Sequence, residues 1–233
     1  MADLIKIDYS FRFADGASKA FNLLLDRATL GFITAEHPSP PVWTELGRNR
    51  CSNCSIDEGS NKYCPVALNL ARIAEEFKDY FAYEDVSVTV ITEERTYLKD
   101  TTIQVGLSAL VGIVMSTSGC PIMEYFKPMV RFHLPFASLP ETIFRMTSMH
   151  LLSQYFLDQE GKDFDFSLDR LNTIYSEVGQ VNRDFAQRLS EAAEKDANAN
   201  ALVNLDCFAS MVPLAAEDIL NEIKPYFSAY LKQ

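Results

Sequence analysis

Residues 5–13 read Ile-Lys-Ile-Asp-Tyr-Ser-Phe-Arg-Phe, and apolar and polar side chains alternate over the whole stretch. Successive side chains of a β-strand point to opposite faces, so this pattern predicts a strand with one buried face. A turn signal at residues 15–16 is followed by a second alternating segment at 21–25 and a short apolar segment at 30–33. Together these segments predict an N-terminal antiparallel β meander.

Beyond residue 63, apolar residues recur mainly at the spacing of three and four that is typical of helices. Pro65 stands at the first turn of one predicted helix. Asp100 is a candidate cap for a mostly apolar helix that runs to about Ser116. One more strand is predicted at residues 86–92, and further helices at 141–157, 167 to about 195, 201–211 and 217–230. The sequence therefore predicts an α+β fold with a mainly helical C-terminal half.

This pattern suggests two regions, an α+β region at 1–157 and a helical region at 158–233, either separate or packed into one domain. The helix predicted from Ser167 to about Lys195 carries a stripe of apolar residues at spacings of three and four. The stripe suits one arm of a helical hairpin within the chain, and it equally suits pairing with a second subunit. We expect a homo-oligomer, a dimer, or a protein partner bound through these C-terminal helices.

The formal net charge is −11 and the sequence pI is about 4.7, so the molecule as a whole repels phosphate backbones and anionic membranes. The longest apolar run, residues 105–115, is interrupted by Gly106, Ser108 and Gly112 and is shorter than the ~20 residues that span a bilayer. The N-terminal residues do not resemble a signal peptide. We expect a cytoplasmic protein that binds neither nucleic acid nor a membrane.

Four of the five cysteines occur in short motifs, three of them in or next to a long irregular loop at residues 36–63. Cys51 and Cys54 form a C-x2-C pair, Cys64 follows after nine residues, and Cys120 comes after a predicted strand and helix. Two thiolates at C-x2-C spacing can bind one ion with little strain, and four complete a tetrahedral shell. We expect these four side chains to be the ligands of one metal centre.

Zinc and a 4Fe-4S cluster both accept four thiolates, so the spacing does not separate them. Proline follows Cys64 and Cys120, as it often follows ligand cysteines in ferredoxins, but the compact three-cysteine run of ferredoxins is absent. We expect structural Zn²⁺, with a 4Fe-4S cluster as the alternative. A third interpretation has no metal, with buried thiols acting as small hydrophobic side chains.

Two further residues are of types that could belong to the metal centre. His133 could replace a cysteine as ligand or donate a hydrogen bond to a ligand sulfur, but a hydrogen-bonded histidine at the border of the core is the simpler interpretation. Cys207 lies in a helical pattern with Leu205 and Phe208, which is typical of an inert buried thiol. We therefore exclude Cys207 from the site.

A polar segment at residues 94–104 is a second candidate for chemistry. Arg95 and Lys99 can attract an anion, and Thr101 and Thr102 can donate to it at a helix start, whereas a solvated loop with a capped helix is the simpler interpretation. The segment would also suit a small-molecule enzyme that works beside the metal. The common phosphate-loop, dinucleotide and serine-hydrolase motifs are absent from the sequence.

The three cysteine motifs together resemble a bacterial protein family that has a C-x2-C, C-P and G-C-P framework and no assigned activity. They read Cys51-Ser-Asn-Cys54, Tyr63-Cys-Pro-Val-Ala67 and Ser118-Gly-Cys-Pro-Ile-Met123. The resemblance extends from the N-terminal strands to about residue 157. It implies a bacterial cytosolic protein and does not imply a substrate.

Overall fold

A computed structural model describes residues 3–34 and 37–232 of the chain. Four antiparallel strands form one sheet, and they are β1 (Leu4–Phe13), β2 (Ser18–Asp26), β3 (Asp85–Ile91) and β4 (Thr96–Thr102). Their order across the sheet is β2-β1-β3-β4. Helices account for 52% of the residues and strands for 16%, which confirms the α+β prediction.

The alternation in β1 sets the two faces of the sheet. Its buried residues Tyr9 and Phe11 are opposite Val90 and Val88 of β3, so apolar side chains of neighbouring strands share one face. Phe77 of the first helix closes this face, with its ring centroid 5.1 Å from that of Phe11. Edge-to-face contacts of this kind add to the stabilisation from apolar burial. The sheet is therefore covered by helices on the face that its sequence pattern marks as apolar.

Seven α-helices follow the pattern of apolar spacing through the described chain. They are α1 (Pro65–Phe77), α2 (Ile103–Thr117), α3 (Lys127–Arg131), α4 (Leu139–Gln159), α5 (Asp169–Ser190), α6 (Ala197–Ile223) and α7 (Ser228–Leu231). Short 3-10 helices lie at Val42–Thr44, Met123–Phe126 and Lys224–Phe227. Helix α4 begins with a capping box between Ser138 and Glu141, which fixes its start.

Helix α2 is the central element, because it packs on β3 and β4 on one side and on α6 on the other. A glycine permits its close approach to the sheet. A Cβ atom at Gly106 would lie 2.7 Å from Val88 Cγ2 and 3.0 Å from Phe11 Cε1. Gly106 thus lets the helix backbone reach the sheet, and the apolar segment around it is a buried core helix as predicted.

The structure corrects several local predictions. Residues 96–102 form the edge strand β4 where a polar loop was predicted, and Asp100 lies inside it, so Thr102 is the residue before α2. Residues 30–33 contribute a single bridge, Leu25 to Phe32, and no third strand of a meander. The two helices predicted at 201–211 and 217–230 are largely one helix, α6, which continues through Pro213. The predicted loop begins at residue 36, which lies outside the described residues.

The apolar stripe of α5 is used within the chain. Its residues Val178, Val181, Phe185 and Leu189 are buried, and α5 packs along α6 as the two arms of a helical hairpin. One hydrophobic cluster runs from the sheet through α1 and α2 to this hairpin. The stripe is therefore not free for a second subunit, and oligomerisation through other faces of the C-terminal helices stays a prediction.

The segment Ala197–Leu231 has the length and composition of a membrane-crossing helix. It spans 35 residues, its most apolar window has a mean hydropathy of 1.3, and 28% of that window is buried. Core helices pass the same test, and α6 packs against α2, α4 and α5. The absence of membrane binding stays a prediction.

Candidate metal centre

Three of the four predicted ligands lie in or at the end of a segment that we call the cysteine loop, residues 42–64. Its two ends are joined by a bridge between Glu45 and Tyr63, and Cys64 N donates to Thr44 O at 2.9 Å. Arg50 donates to the carbonyl oxygens of Cys54 and Ile56, at 3.0 and 2.7 Å. Backbone hydrogen bonds therefore fix a loop that has little regular structure.

The C-x2-C pair is a tight turn, in which Cys54 N donates to Cys51 O at 3.0 Å. The two residues between the cysteines attach this turn to α5. Ser52 donates from N and from Oγ to Asp184 Oδ2, at 2.7 and 2.9 Å. Asn53 Nδ2 donates to Glu177 O at 2.9 Å. The side chains between the ligands therefore orient the pair, and the sulfur atoms are left for other contacts.

Cys64 and Cys120 both precede a proline but occupy different local positions. Cys64 is the N-cap residue of α1 and precedes Pro65 at the first turn, as the sequence predicts. Cys120 follows the end of α2, where Gly119 has a φ of +85°, a left-handed conformation that favours glycine. Asn69 of α1 donates to Ser118 Oγ at 2.9 Å, which ties the two segments together.

The four thiol groups are electrostatically coupled. The pKa of Cys51 is raised to about 12, mainly by burial, with smaller contributions from Cys64, Asp184 and Cys120. Burial also raises the pKa of Cys64 and of Cys120, and Cys54 adds to both increases. Backbone N–H groups act in the opposite direction, from residues 66–67 on Cys64 and from residues 122–123 on Cys120. The fold therefore gathers the cysteines into one half-buried neighbourhood.

A buried arginine borders this neighbourhood. Arg188 of α5 is 1% exposed, and its guanidinium donates four hydrogen bonds to carbonyl oxygens of the cysteine loop, at Trp43, Glu45, Leu46 and Asn49. Its positive charge lowers the pKa of Cys51 and of Cys64. Arginine cannot lose its proton in a protein, so the fold holds a permanent cation beside the thiols.

The side chains of the cysteine group are not at the mutual distances of metal ligands in this structure. Over residues 3–34 and 37–232, no three side chains of His, Cys, Asp or Glu stand close enough together to hold an ion as they are placed. All four cysteines are half-buried, and none forms a disulfide in the structure. The four-cysteine site therefore stays a prediction, with the backbone segments that carry the thiols already assembled.

His133 and Cys207 differ from the cysteine group. His133 Nε2 lies 2.6 Å from the hydroxyl oxygen of Tyr9, so its partner is in the sheet, and a role beside a ligand sulfur stays a prediction. Burial lowers the pKa of His133 to about 3, with Arg145 contributing. Cys207 is exposed, so the prediction of a buried thiol there is wrong. The helix turns this side chain to solvent although Leu205 and Phe208 beside it in the sequence are apolar.

The four residues of the predicted anion site are spread along the edge of the sheet. Arg95 lies in the turn before β4, Lys99 and Thr101 lie within the strand, and Thr102 ends it. A strand rises ~3.3 Å per residue, so Arg95 and Thr102 are about 20 Å apart along β4. Joint anion binding stays a prediction, and so does an enzyme site at residues 94–104. Lys99 of this segment lines a cavity.

Arg188 and Asp184 are site residues that the sequence interpretation missed. Both lie in α5, and Arg188 stands three residues after Phe185 and seven after Val181, on the apolar face of the helix. A charged residue on such a face is the signal that would have found it, because buried charges require partners. The serine and asparagine within the C-x2-C pair gave a second signal, since both readily form local hydrogen bonds.

Residues 7–228 match the model of a family described as a domain of unknown function, DUF6901. The chain therefore belongs to this family. Comparison with curated proteins and with solved structures returned no match. Family membership agrees with the resemblance to a family without an assigned activity, and it does not test the cysteine motifs.

Proposed function

We propose that this chain is a bacterial cytosolic metal-binding protein in which Cys51, Cys54, Cys64 and Cys120 hold one metal centre, most simply a structural Zn²⁺. The metal would join the cysteine loop to the segment after α2, and the protein would act as an interaction or regulatory module. The observation that carries the proposal is the convergence of four thiols, from segments up to 69 positions apart in the numbering, beside one buried cation.

The local geometry supports ligation. Backbone N–H groups after Cys64 and after Cys120 favour the thiolate form, which is the form that binds metal. The remaining barrier is burial, which favours the neutral thiol, and a bound cation removes that barrier.

Charge balance gives a second line of support. All four hydrogen bonds of Arg188 go to carbonyl groups, and a buried cation of this kind calls for a negative partner. Glu191 is also near, but Arg48 and Asn49 bind its carboxylate. Four thiolates around Zn²⁺ carry two net negative charges, which Arg188 would partly neutralise. Neutral thiols without a metal would leave the positive charge of Arg188 without a negative partner.

A 4Fe-4S cluster is the alternative occupant, and it would make the protein a redox or sensor protein. It accepts the same four thiolates, and the proline after two of them favours it. An enzyme with the metal at its centre is a weaker alternative, because four protein ligands leave no position for a substrate.

The test is elemental analysis with an absorption spectrum on the full-length protein purified without oxygen. We expect one zinc per chain and a colourless solution. About four irons per chain with sulfide and a brown colour would assign the site to a cluster instead. Protein with neither element that also fails to bind added Zn²⁺ would overturn the proposal.

Single cysteine variants assign the ligands. Cys54→Ser and Cys120→Ser should lose the metal, since each removes one thiolate of the shell. Cys207→Ser is the matched control, because this exposed thiol lies outside the cysteine group, and it should keep the metal. Equal metal content in all three variants would contradict the four-cysteine assignment.

The C-terminal helices are the proposed interaction surface. Leu214, Tyr226 and Tyr230 are more than three-quarters exposed, at 82%, 80% and 76%. Large apolar side chains at this level of exposure can contribute to a protein interface. A homodimer or a protein partner through this surface therefore remains part of the proposal.

A further inference from the structure

A cavity of about 500 Å³ lies among the helices, on a part of the molecule that the metal-centre proposal does not use. Its walls come from α2, α4, α5 and α6 and from the segment between α3 and α4. Cavities of roughly 300 to 1,000 Å³ are the size class that binds small molecules in proteins. The volume alone therefore calls for an explanation.

The body of the cavity is apolar and adaptable. Methionine and phenylalanine side chains dominate the walls, with Met123, Met129 and Met146 beside Phe126, Phe136 and Phe208. Methionine is unbranched and flexible, and it fits apolar ligands of varied shape. Small residues of α2, Ala109 and Gly112, keep the space open on that side. These walls suit a hydrocarbon chain or ring.

Two cations line the cavity. Lys99 comes from β4 and lies with Nζ 5.7 Å from the ring centroid of Phe136, which also lines the cavity. Arg145 comes from α4, and its Nη2 donates to Met129 O and Phe132 O at 3.1 and 2.7 Å. Both cations lower the pKa of Glu141, after the larger effect of Ser138, so each lies within electrostatic range of that carboxylate.

Glu141 does not neutralise these cations inside the cavity. Its carboxylate is held in the capping box by N and Oγ of Ser138, and Glu141 is not among the cavity residues. Within the described part of the chain, neither Lys99 nor Arg145 forms an ion pair. Burial lowers the pKa of Arg145, as expected for a cation that is partly removed from water. An anion at this position would find two charged donors.

A second polar group faces the same space from α5. Asn182 is 2% exposed, and among the described side chains its Oδ1 has no hydrogen-bond partner. Buried polar atoms without a partner are rare in proteins, and this acceptor could be satisfied by a water in the cavity, since a carboxylate has no hydrogen to donate to it. Asn204 of α6, in contrast, is satisfied by Ser108 Oγ at 2.8 Å.

We propose that this cavity binds an amphiphilic carboxylate of the fatty-acid type, with its head group at Lys99 and Arg145 and its apolar chain among the methionine and phenylalanine side chains. The apolar walls select the chain, and the two unpaired cations select a carboxylate over an alcohol. The proposal does not depend on the cysteines, so either proposal can fail while the other holds.

The experiment is calorimetric titration of the full-length protein with decanoate and dodecanoate at concentrations below micelle formation, with decanol as the neutral probe. We expect one site per chain and binding of decanol at least about tenfold weaker, because a charge-assisted hydrogen bond is worth roughly 1.5–3 kcal/mol. No binding of either carboxylate would overturn the proposal. Equal affinity for decanoate and decanol would overturn the head-group assignment.

Matched variants place the ligand in this cavity. Lys99→Met should weaken decanoate binding about tenfold and leave decanol binding unchanged. Arg95→Met is the control, since this residue adjoins the same strand but does not line the cavity. Ala109→Phe should abolish the binding of both probes by filling the space, and Gly112→Ala should retain it, because the added Cβ meets only Leu205 Cδ2 at 3.7 Å.

Thermal unfolding of each variant shows that the fold is kept. A folded Ala109→Phe protein that still binds dodecanoate would move the site away from the cavity and overturn the proposal. Binding by Cys54→Ser protein at wild-type affinity is expected, because no cysteine is among the cavity residues. Cys120→Ser is not used as this control, since Met123, whose N–H bonds to the Cys120 thiol, lines the cavity.

Discussion

The sheet core and the cysteine loop are fixed by different forces. Around Phe77 the sheet and α1 bury aromatic rings at centroid distances of 5.1 Å to Phe11 and 5.8 Å to Phe21. The cysteine loop has few buried apolar side chains, and carbonyl groups, Arg188 and Asp184 hold it in place. Apolar burial needs no particular partner, whereas polar contacts fail when one partner is lost.

This difference indicates which region a bound metal would stabilise. The sheet core should form whether or not an ion is bound, because its stabilisation scales with apolar area removed from water. The cysteine loop is held by charged and polar groups. A change in the charge of the thiols should therefore alter the stability of the loop before that of the sheet core. Three substitutions test this contrast.

The largest effect is expected in the sheet core. Phe77→Ala should lower the free energy of unfolding by about 4 kcal/mol, because it removes a fully buried ring and leaves a cavity. Chemical denaturation measures this change, and the loss should be the same with and without a metal chelator. Phe144→Ala is the control, since that ring is 47% exposed, and its effect should be small. A loss for Phe77→Ala that depends on chelator would break the contrast.

The next effect is expected at the buried cation. Arg188→Met should destabilise the fold by about 3 kcal/mol, because carbonyl groups of the cysteine loop lose their charged donor. It should also weaken zinc binding, since the thiolates lose a neighbouring positive charge. Denaturation and zinc titration check the two parts separately.

Arg183→Met is the matched control for Arg188→Met, because both residues lie on α5. Arg183 pairs with Asp206 at 3.1 Å and its side chain is 51% exposed, so its loss should matter little. Equal zinc affinity in the wild type and the Arg188→Met variant would show that Arg188 does not contribute to metal binding.

A smaller effect is expected from acid, on the sheet side of the contrast. The pKa of His133 falls from its ordinary value of 6.5 to about 3 in the fold, so the folded state favours the neutral ring. The stabilisation is present above pH 6.5 and is lost as pH falls toward 3. From pH 7 to 5 the free energy of unfolding should fall by about 2 kcal/mol from this residue.

Denaturation curves of the His133→Gln variant across this pH range test the assignment. The variant should lose less stability on acidification than the wild type, because glutamine keeps a polar partner for Tyr9 but does not titrate. His37→Gln controls for the removal of one histidine. An identical acid dependence in the wild type and the His133→Gln variant would show that another group is responsible.

The regular elements of the fold were largely predictable, and the failures have physical reasons. The alternation in β1 and the helical spacing in α1, α2 and α5 are local patterns that directly mark buried faces. Strand β4 was missed because an edge strand with exposed side chains lacks an apolar pattern. Helix α6 was divided because Pro213 normally ends a helix, yet packing against α2 and α5 carries it through.

The sequence marks the four cysteines as a candidate group, and their role as metal ligands stays a prediction, whereas the surroundings of the group could not be predicted. The spacing of Cys51, Cys54 and Cys64 marks them as a group, and the fold brings them near Cys120. Arg188, more than a hundred residues further along the chain than any of the loop cysteines, enters the same neighbourhood only through the packing of α5. Local sequence patterns do not predict a contact between segments that are distant in the chain.

The strands and helices with strong periodicity, the acidic charge and the inventory of thiols follow directly from the amino-acid sequence. The pairing of β3 with β1, the burial of the α5 stripe within the chain and the presence of Lys99 and Arg145 in one cavity depend on long-range packing. The reason is that periodicity records which face of an element is buried, while the choice of what buries it depends on the packing of the whole chain.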